Sequence, residues 1–193
     1  MNNTVFLHTP RTGGTSIRKA VMFSDRPDIT VSRDIDRGGF FIMPEAHALT
    51  ANDTLCLSVR NPYTRWVSIF TSRMRGKNPT PELFMEFLKM ASKISYIKDN
   101  DLYRNCSHWL IETPAQVKFI KFENLVDDTK QILDIDLTEF SHRKKTFYAV
   151  NPDLSCYYNK RSLRLLNELA DADFNNFGYT KYHTIPELVD ACL

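Results

Sequence analysis

The chain has 193 residues, of which 42% are hydrophobic and 25% charged, with 25 Lys and Arg against 23 Asp and Glu for a formal net charge of +2. That length and apolar content suit one domain with a real core. The near balance of charge excludes a general nucleic-acid or membrane-surface binder, so any anion site must be local.

In chain order, Thr4 to His8 is a short apolar, β-prone run. A turn-rich segment, Thr9-Pro10-Arg11-Thr12-Gly13-Gly14, follows it. Thr15 to Met22 then reads as a helix, with Thr15 or Ser16 as its cap. Residues 24–53 are broken by Pro27, the Gly38-Gly39 pair and Pro44, with a short strand predicted at Phe40 to Met43. Thr54 to Val59 is a strand of the fully buried type, ending at Arg60-Asn61-Pro62, and a helix is predicted from Tyr63 to Met74. Pro79-Thr80-Pro81 starts another helix through Ala91, with Leu83, Phe84, Phe87 and Leu88 on its apolar face. Leu102 to Ile111 is predicted helical. Val117 to Phe122 alternates as a strand should. Glu123 to Leu133 follows as a helix, with Glu123 in a capping role. A last helix is predicted over Cys156 to Leu169, ahead of an aromatic segment, Asp173 to Tyr179. Strands alternating with helices predict an α/β protein, a single domain over 1–193 with a central, mainly parallel sheet flanked by helices.

Cys56, Cys106, Cys156 and Cys192 are widely separated and form no CxxC pair. This argues against a zinc site or a dense disulfide framework and for reduced thiols in a cytoplasm-like compartment. The sequence has no basic leader followed by a long apolar stretch and no run long enough to cross a bilayer. The expectation is a soluble, cytoplasmic protein.

Two segments carry chemistry. His8-Thr9-Pro10-Arg11-Thr12-Gly13-Gly14-Thr15-Ser16 lies between a strand and a helix. Glycines let the backbone curl so that several N–H groups point inward, and a helix N-terminus adds its positive dipole end; together these make an anion site. Thr12, Thr15 and Ser16 supply hydroxyls and Arg11 a fixed charge. The Walker pattern GxxxxGK[ST] is absent, because Thr15 rather than Lys follows Gly14. The second segment, Arg60-Asn61-Pro62-Tyr63-Thr64-Arg65-Trp66-Val67-Ser68, has the form R-x-P-x-x-R-x-x-S at a strand-to-helix junction. Arg60 is expected at the C-terminal end of a central strand, where α/β proteins bind ligands. Ser68 is expected two turns into the helix that Pro62 begins. Plainer readings stand beside these: a βα turn with glycines for geometry alone, and surface cations at Arg60 and Arg65.

The first segment resembles the PKTGGTS-type loop of sulfotransferases that use 3′-phosphoadenosine 5′-phosphosulfate (PAPS), particularly the carbohydrate and Golgi-type branch. The second resembles that family's R-[DN]-P-x-x-R-x-x-S motif and matches it at every fixed position. The two stand in the family's order, about fifty residues apart. The resemblance implies a three-layer fold like that of the P-loop kinases. It implies that Arg11, Thr12, Gly13, Gly14, Thr15 and Ser16 hold the 5′-phosphosulfate, and that Arg60 and Ser68 hold the 3′-phosphate. Arg11 stands where the family usually has Lys; it keeps the charge but exchanges a compact ammonium for a planar fork. Phe119 to Leu125 resembles the family's strand ending in a Glu-[DN]-Leu turn. The basic stretch from His142 to Arg164 resembles its nucleotide-closing loop, with Lys144 and Lys145 as candidates; a solvated charge run is the alternative.

The implied reaction is in-line transfer of a sulfuryl group to an acceptor hydroxyl or amine, resting on positioning and charge neutralisation. Arg11 would stabilise the leaving oxygen. His47, between the two motifs where family members carry a catalytic His or Glu, is the candidate general base, with Glu45 as the alternative. Of the other histidines, His8 belongs to the strand end, His108 to a partly buried helical position, and His142 and His183 to the surface. No metal is implied. The acceptor is a small molecule, a short glycan or a peptide side chain, met by loops within 24–50 and 76–115; no nucleic acid or membrane partner is expected. Two other functions fit the same segments: a nucleotide-dependent kinase, and a non-catalytic module that binds 3′-phosphoadenosine 5′-phosphate (PAP).

Overall fold

A computed structural model describes residues 3–31, 49–74, 78–93, 101–110, 112–138 and 153–192. Within these the chain is α/β, with a four-stranded, wholly parallel sheet and flanking helices. The contacts divide it into two compact units, Met1–Arg60 with Cys106–Lys144 and Asn61–Asn105 with Lys145–Leu193.

The first unit holds the sheet. Strand β1 (Thr4–Leu7) leads into helix α1 (Gly14–Phe23), then β2 (Ile29–Val31), β3 (Thr54–Val59) and β4 (Gln116–Lys121), followed by helix α4 (Leu125–Leu133). The strand order is β2-β1-β3-β4. Parallel neighbours cannot be joined by a hairpin, so each pairing requires a crossover, and α1 supplies the first. Register sets Phe6 opposite Cys56 and Ser58 opposite Ile120. Phe6, Cys56 and Ile120 pack with Ile17, Ala20 and Val21 of α1 and Leu133 of α4 in one cluster. The alternate residues Leu7, Leu55, Leu57 and Val59 are also buried. Burial of both sets is why β3 reads as a continuous apolar run rather than an alternating one.

Two details of this unit differ from the sequence expectation. Strand β2 was not foreseen: three residues after Pro27, one of them an exposed Thr30, give no periodicity to read, and the strand exists through its pairing with β1. Helix α1 begins at Gly14, capped by Gly13 in the left-handed region at φ 82°, and neither Thr15 nor Ser16 caps it. Likewise Glu123 does not cap α4; it sits exposed in a 3-10 turn over Phe122–Asn124, and Asp128 anchors that turn by accepting the Lys121 amide at 2.7 Å.

The second unit is helical. Helix α2 (Pro62–Arg73) starts with Pro62 at its first position, and the Asn61 side chain accepts the Tyr63 amide at 3.0 Å. Helix α3 (Pro81–Ala91) repeats the device with Thr80 and Pro81 and buries Phe84, Phe87 and Leu88, with Leu83 half-buried. Helix α5 (Lys160–Leu169) carries a full capping box between Asn159 and Ser162. It is shorter than predicted because a 3-10 turn, Leu154–Cys156, precedes the cap. Helices α6 (Asp171–Phe177) and α7 (Ile185–Cys192) complete the unit.

Its core is aromatic. Phe70 meets Phe84 edge-to-face at 5.3 Å and Phe87 at 5.4 Å, and Tyr63 lies 5.0 Å from Phe174. Such pairs contribute beyond the area they bury. Tyr63 also ties the unit together through its hydroxyl, which donates to Asn167 Oδ1 at 2.6 Å and accepts the Tyr182 amide at 2.8 Å.

The segment predicted as a helix over Leu102 to Ile111 forms two 3-10 turns instead, Asp101–Tyr103 and Cys106–Trp109. Its buried residues, Tyr103, Cys106 and Trp109, recur every three positions. That is the 3-10 repeat rather than the 3.6-residue one. His108 is exposed there rather than partly buried, and His183 is exposed as expected. The strand predicted at Phe40 to Met43 lies outside the described residues.

Candidate functional site

The strand order gives the site its place. From β1 the chain passes to β2 on one side and then to β3 on the other, so the connection reverses between β1 and β3. In open parallel sheets ligands bind outside the carboxyl ends of the strands at such a reversal. The glycine loop leaves the carboxyl end of β1, and Arg60 is the first residue after the carboxyl end of β3.

The loop is held from beneath by hydroxyls. Thr12 is fully buried; its Oγ1 donates to the Thr9 carbonyl at 2.8 Å and lies 2.7 Å from Ser58 Oγ. Thr9, also fully buried, has its Oγ1 2.9 Å from Thr12 Oγ1 and donates that hydroxyl to the Ser58 carbonyl. Each hydroxyl both donates and accepts, so the loop is fastened to the last turn of β3 without any charge. The Thr12 hydroxyl is therefore part of the loop's framework. Thr15 and Ser16, in the first turn of α1, are half-buried.

Two residues of the loop take left-handed backbone. Gly13 does so without steric cost, and Arg11 does so at φ 67° despite its side chain. A non-glycine residue held in that region costs on the order of 1–2 kcal/mol and persists where its surroundings impose it, commonly at binding and catalytic sites. Gly14 has a different requirement: a Cβ there would lie 2.0 Å from Cδ2 of His8, so the His8 ring fills the place a side chain would need.

Arg60 reaches across to the loop. Its Nη1 donates to the Arg11 carbonyl at 3.4 Å, and its guanidinium carbon lies 4.0 Å from the centre of the Phe122 ring. The structure thus brings Arg11, Gly13 and Arg60 together at one end of the sheet. Ser68 lies in the second unit, on α2, 5% exposed. Arg65 of the same motif is fully buried, not a surface cation; it donates through Nη2 to the carbonyls of Arg104 at 2.7 Å and Leu102 at 3.4 Å. The fixed arginine of the motif therefore has a framework role here. His47, Glu45, Lys144, Lys145 and His142 lie outside the described residues.

Sequence reasoning passed over Ser58 and Phe122. Both sit at strand ends and look like ordinary β-sheet residues until the strand register is known. The Cys106 thiol donates to Thr9 Oγ1 at 3.9 Å beneath the loop, burial pushes the Cys56 thiol up to about 12, and Cys56, Cys106 and Cys156 form no disulfide. Among the described residues no group of three His, Cys, Asp or Glu is placed to hold a metal ion, and no helix is long and apolar enough to cross a membrane. The second unit carries a cleft of about 730 Å³ lined by Lys160, Arg164, Glu168, Asp171, Lys181 and His183 among others. Arg164 pairs with Glu168 at 3.1 Å and Lys181 with Asp171, so the cleft presents no concentrated charge of one sign.

Comparison with known proteins assigns no family: no family model matches the chain, and neither a curated protein nor a solved structure matches it.

Proposed function

We propose that the protein is a PAPS-dependent sulfotransferase with a sheet arranged as in the P-loop kinases. The observation that carries the reading is the meeting, at the reversal point of the sheet, of the loop bearing Arg11 and Gly13 with Arg60 from the neighbouring strand end. Two cations and a helix N-terminus at the carboxyl end of the sheet suit a ligand with two separated anionic groups. The missing Walker lysine counts against an ordinary ATP grip.

On this reading residues 11 to 16 hold the 5′-phosphosulfate. The sequence motif assigns the 3′-phosphate to Arg60 and Ser68. The acceptor oxygen or nitrogen attacks sulfur in line while the bond from sulfur to the bridging oxygen breaks. The sulfated acceptor and PAP result. Arg11 neutralises the charge that develops on the leaving oxygen, a role that needs a fixed cation rather than a proton donor. The proton of the acceptor passes to a general base, for which the sequence offers His47 or Glu45. Lys144 and Lys145 are assigned to closure over the nucleotide. The acceptor remains of the class already named: a small molecule, a short glycan or a peptide side chain.

Calorimetric titration of the wild-type protein with PAP, ADP and ATP tests this reading. PAP is expected to bind at least about tenfold more tightly than either, the worth of one additional charge-assisted contact. Equal or tighter binding of ATP would replace the reading with the nucleotide-dependent kinase.

A further inference from the structure

Register places an aromatic ring beside the proposed 3′-phosphate anchor. Val59 of β3 pairs with Lys121 of β4, so the residues that follow, Arg60 and Phe122, leave the sheet side by side. The Phe122 ring lies 4.0 Å from the Arg60 guanidinium carbon, at stacking distance. The same ring borders the phosphate loop: a Cβ on Gly13 would come within 3.0 Å of Phe122 Cδ2. The ring is itself fixed, because the 3-10 turn that begins with Phe122 is anchored by Asp128 on the Lys121 amide.

We infer that Phe122 is a positioning residue that presents Arg60 to the 3′-phosphate of the nucleotide, and so sets discrimination between adenosine nucleotides with and without that group. The inference rests on the proposed role of Arg60. An arginine side chain has many rotamers, and restricting them before binding removes an ordering cost that would otherwise weaken the contact. A guanidinium stacked on a ring keeps its N–H donors in a plane parallel to the ring, directed outward from the stack. The carbonyl of Arg11 accepts one of those donors, which fixes the rotation of the fork within that plane. A single ring thus touches both elements that the reading assigns to the nucleotide's two anionic ends.

The test compares PAP with 5′-AMP, which differ only in the 3′-phosphate, by calorimetry on wild type, Phe122→Leu, Phe122→Met, Phe122→Tyr and Arg60→Ala. The ratio of the two affinities is expected to fall roughly tenfold in Phe122→Leu and Phe122→Met, which keep apolar volume against Gly13 but lose the π face. AMP affinity should stay within about twofold, a result that a merely structural role would not give. Phe122→Tyr should restore the ratio. An unchanged ratio in the Leu and Met variants, or a parallel loss of PAP and AMP binding, would overturn the inference alone. If the wild type binds PAP no better than AMP, or if Arg60→Ala leaves the ratio intact, the assignment of Arg60 fails and the inference falls with it.

Discussion

Replacing Gly13 with alanine is expected to destabilise the first unit by about 2–4 kcal/mol and to abolish tight nucleotide binding. Two costs add at this position. The backbone sits at φ 82°, where an L-residue pays on the order of 1–2 kcal/mol. The new Cβ would also lie 2.9 Å from Leu125 Cδ2 and 3.0 Å from Phe122 Cδ2, a contact that forces both side chains to move, with overpacking typically costing about 1–3 kcal/mol. Gly178 supplies the control, since it shares the left-handed backbone at φ 67° yet has nothing within 4 Å of where its Cβ would stand. Gly178→Ala should therefore show only the backbone cost, about 1–2 kcal/mol. Urea unfolding of both variants measures the difference. Equal effects would show that the contacts with Leu125 and Phe122 do not constrain the loop.

The second large effect is expected at Arg65. Its side chain is fully buried and donates to two main-chain carbonyls in the turn that contains Leu102 and Arg104. Arg65→Ala leaves a cavity where the buried side chain stood and removes the donor that both half-buried carbonyls share. Large-to-small changes in a core cost about 2–5 kcal/mol, and each buried polar group left unsatisfied adds about 1–3 kcal/mol. A loss of about 3–5 kcal/mol in the second unit is expected, read from near-UV dichroism of its aromatic core against denaturant. Arg65→Lys should recover only part of it, because an ammonium cannot reproduce the planar fork. A loss below about 1 kcal/mol for Arg65→Ala would contradict the framework role.

The elements with strong local signals were legible from the residues alone. The apolar run Thr54 to Val59 is a strand over those same residues, and Pro62, Thr80 and Pro81 start helices because proline at the first helical position and a hydroxyl or amide before it satisfy the orphan amides of the first turn. What escaped was set by tertiary contact. Strand β2 is three residues made by pairing, and the turns around Tyr103 and Trp109 follow a spacing of three that a helical template absorbs without complaint. The cap of α1 escaped because the helix starts one residue earlier than its hydroxyls suggest: Gly13, in the left-handed region, precedes Gly14, and Thr15 and Ser16 lie within the first turn.

The candidate site divides in the same way. Arg11, the glycines and Arg60 announce themselves by residue type and spacing. Ser58 and Phe122 do not, since a serine and a phenylalanine at strand ends carry no signal until the register of β3 and β4 puts them under the loop and beside the arginine. Arg65 carried the opposite lesson: an arginine one turn into a helix reads as a surface cation, and only its burial with two carbonyls as acceptors shows it supporting the fold.

The most direct test of the central claim is a calorimetric titration of PAP into the wild-type protein and into Arg60→Ala, run side by side. The account predicts tight binding to the wild type and a loss of roughly 30- to 150-fold in the variant, the size of a charge-assisted contact of about 2–3 kcal/mol. Binding that is absent in the wild type, or equal in the two proteins, would contradict it.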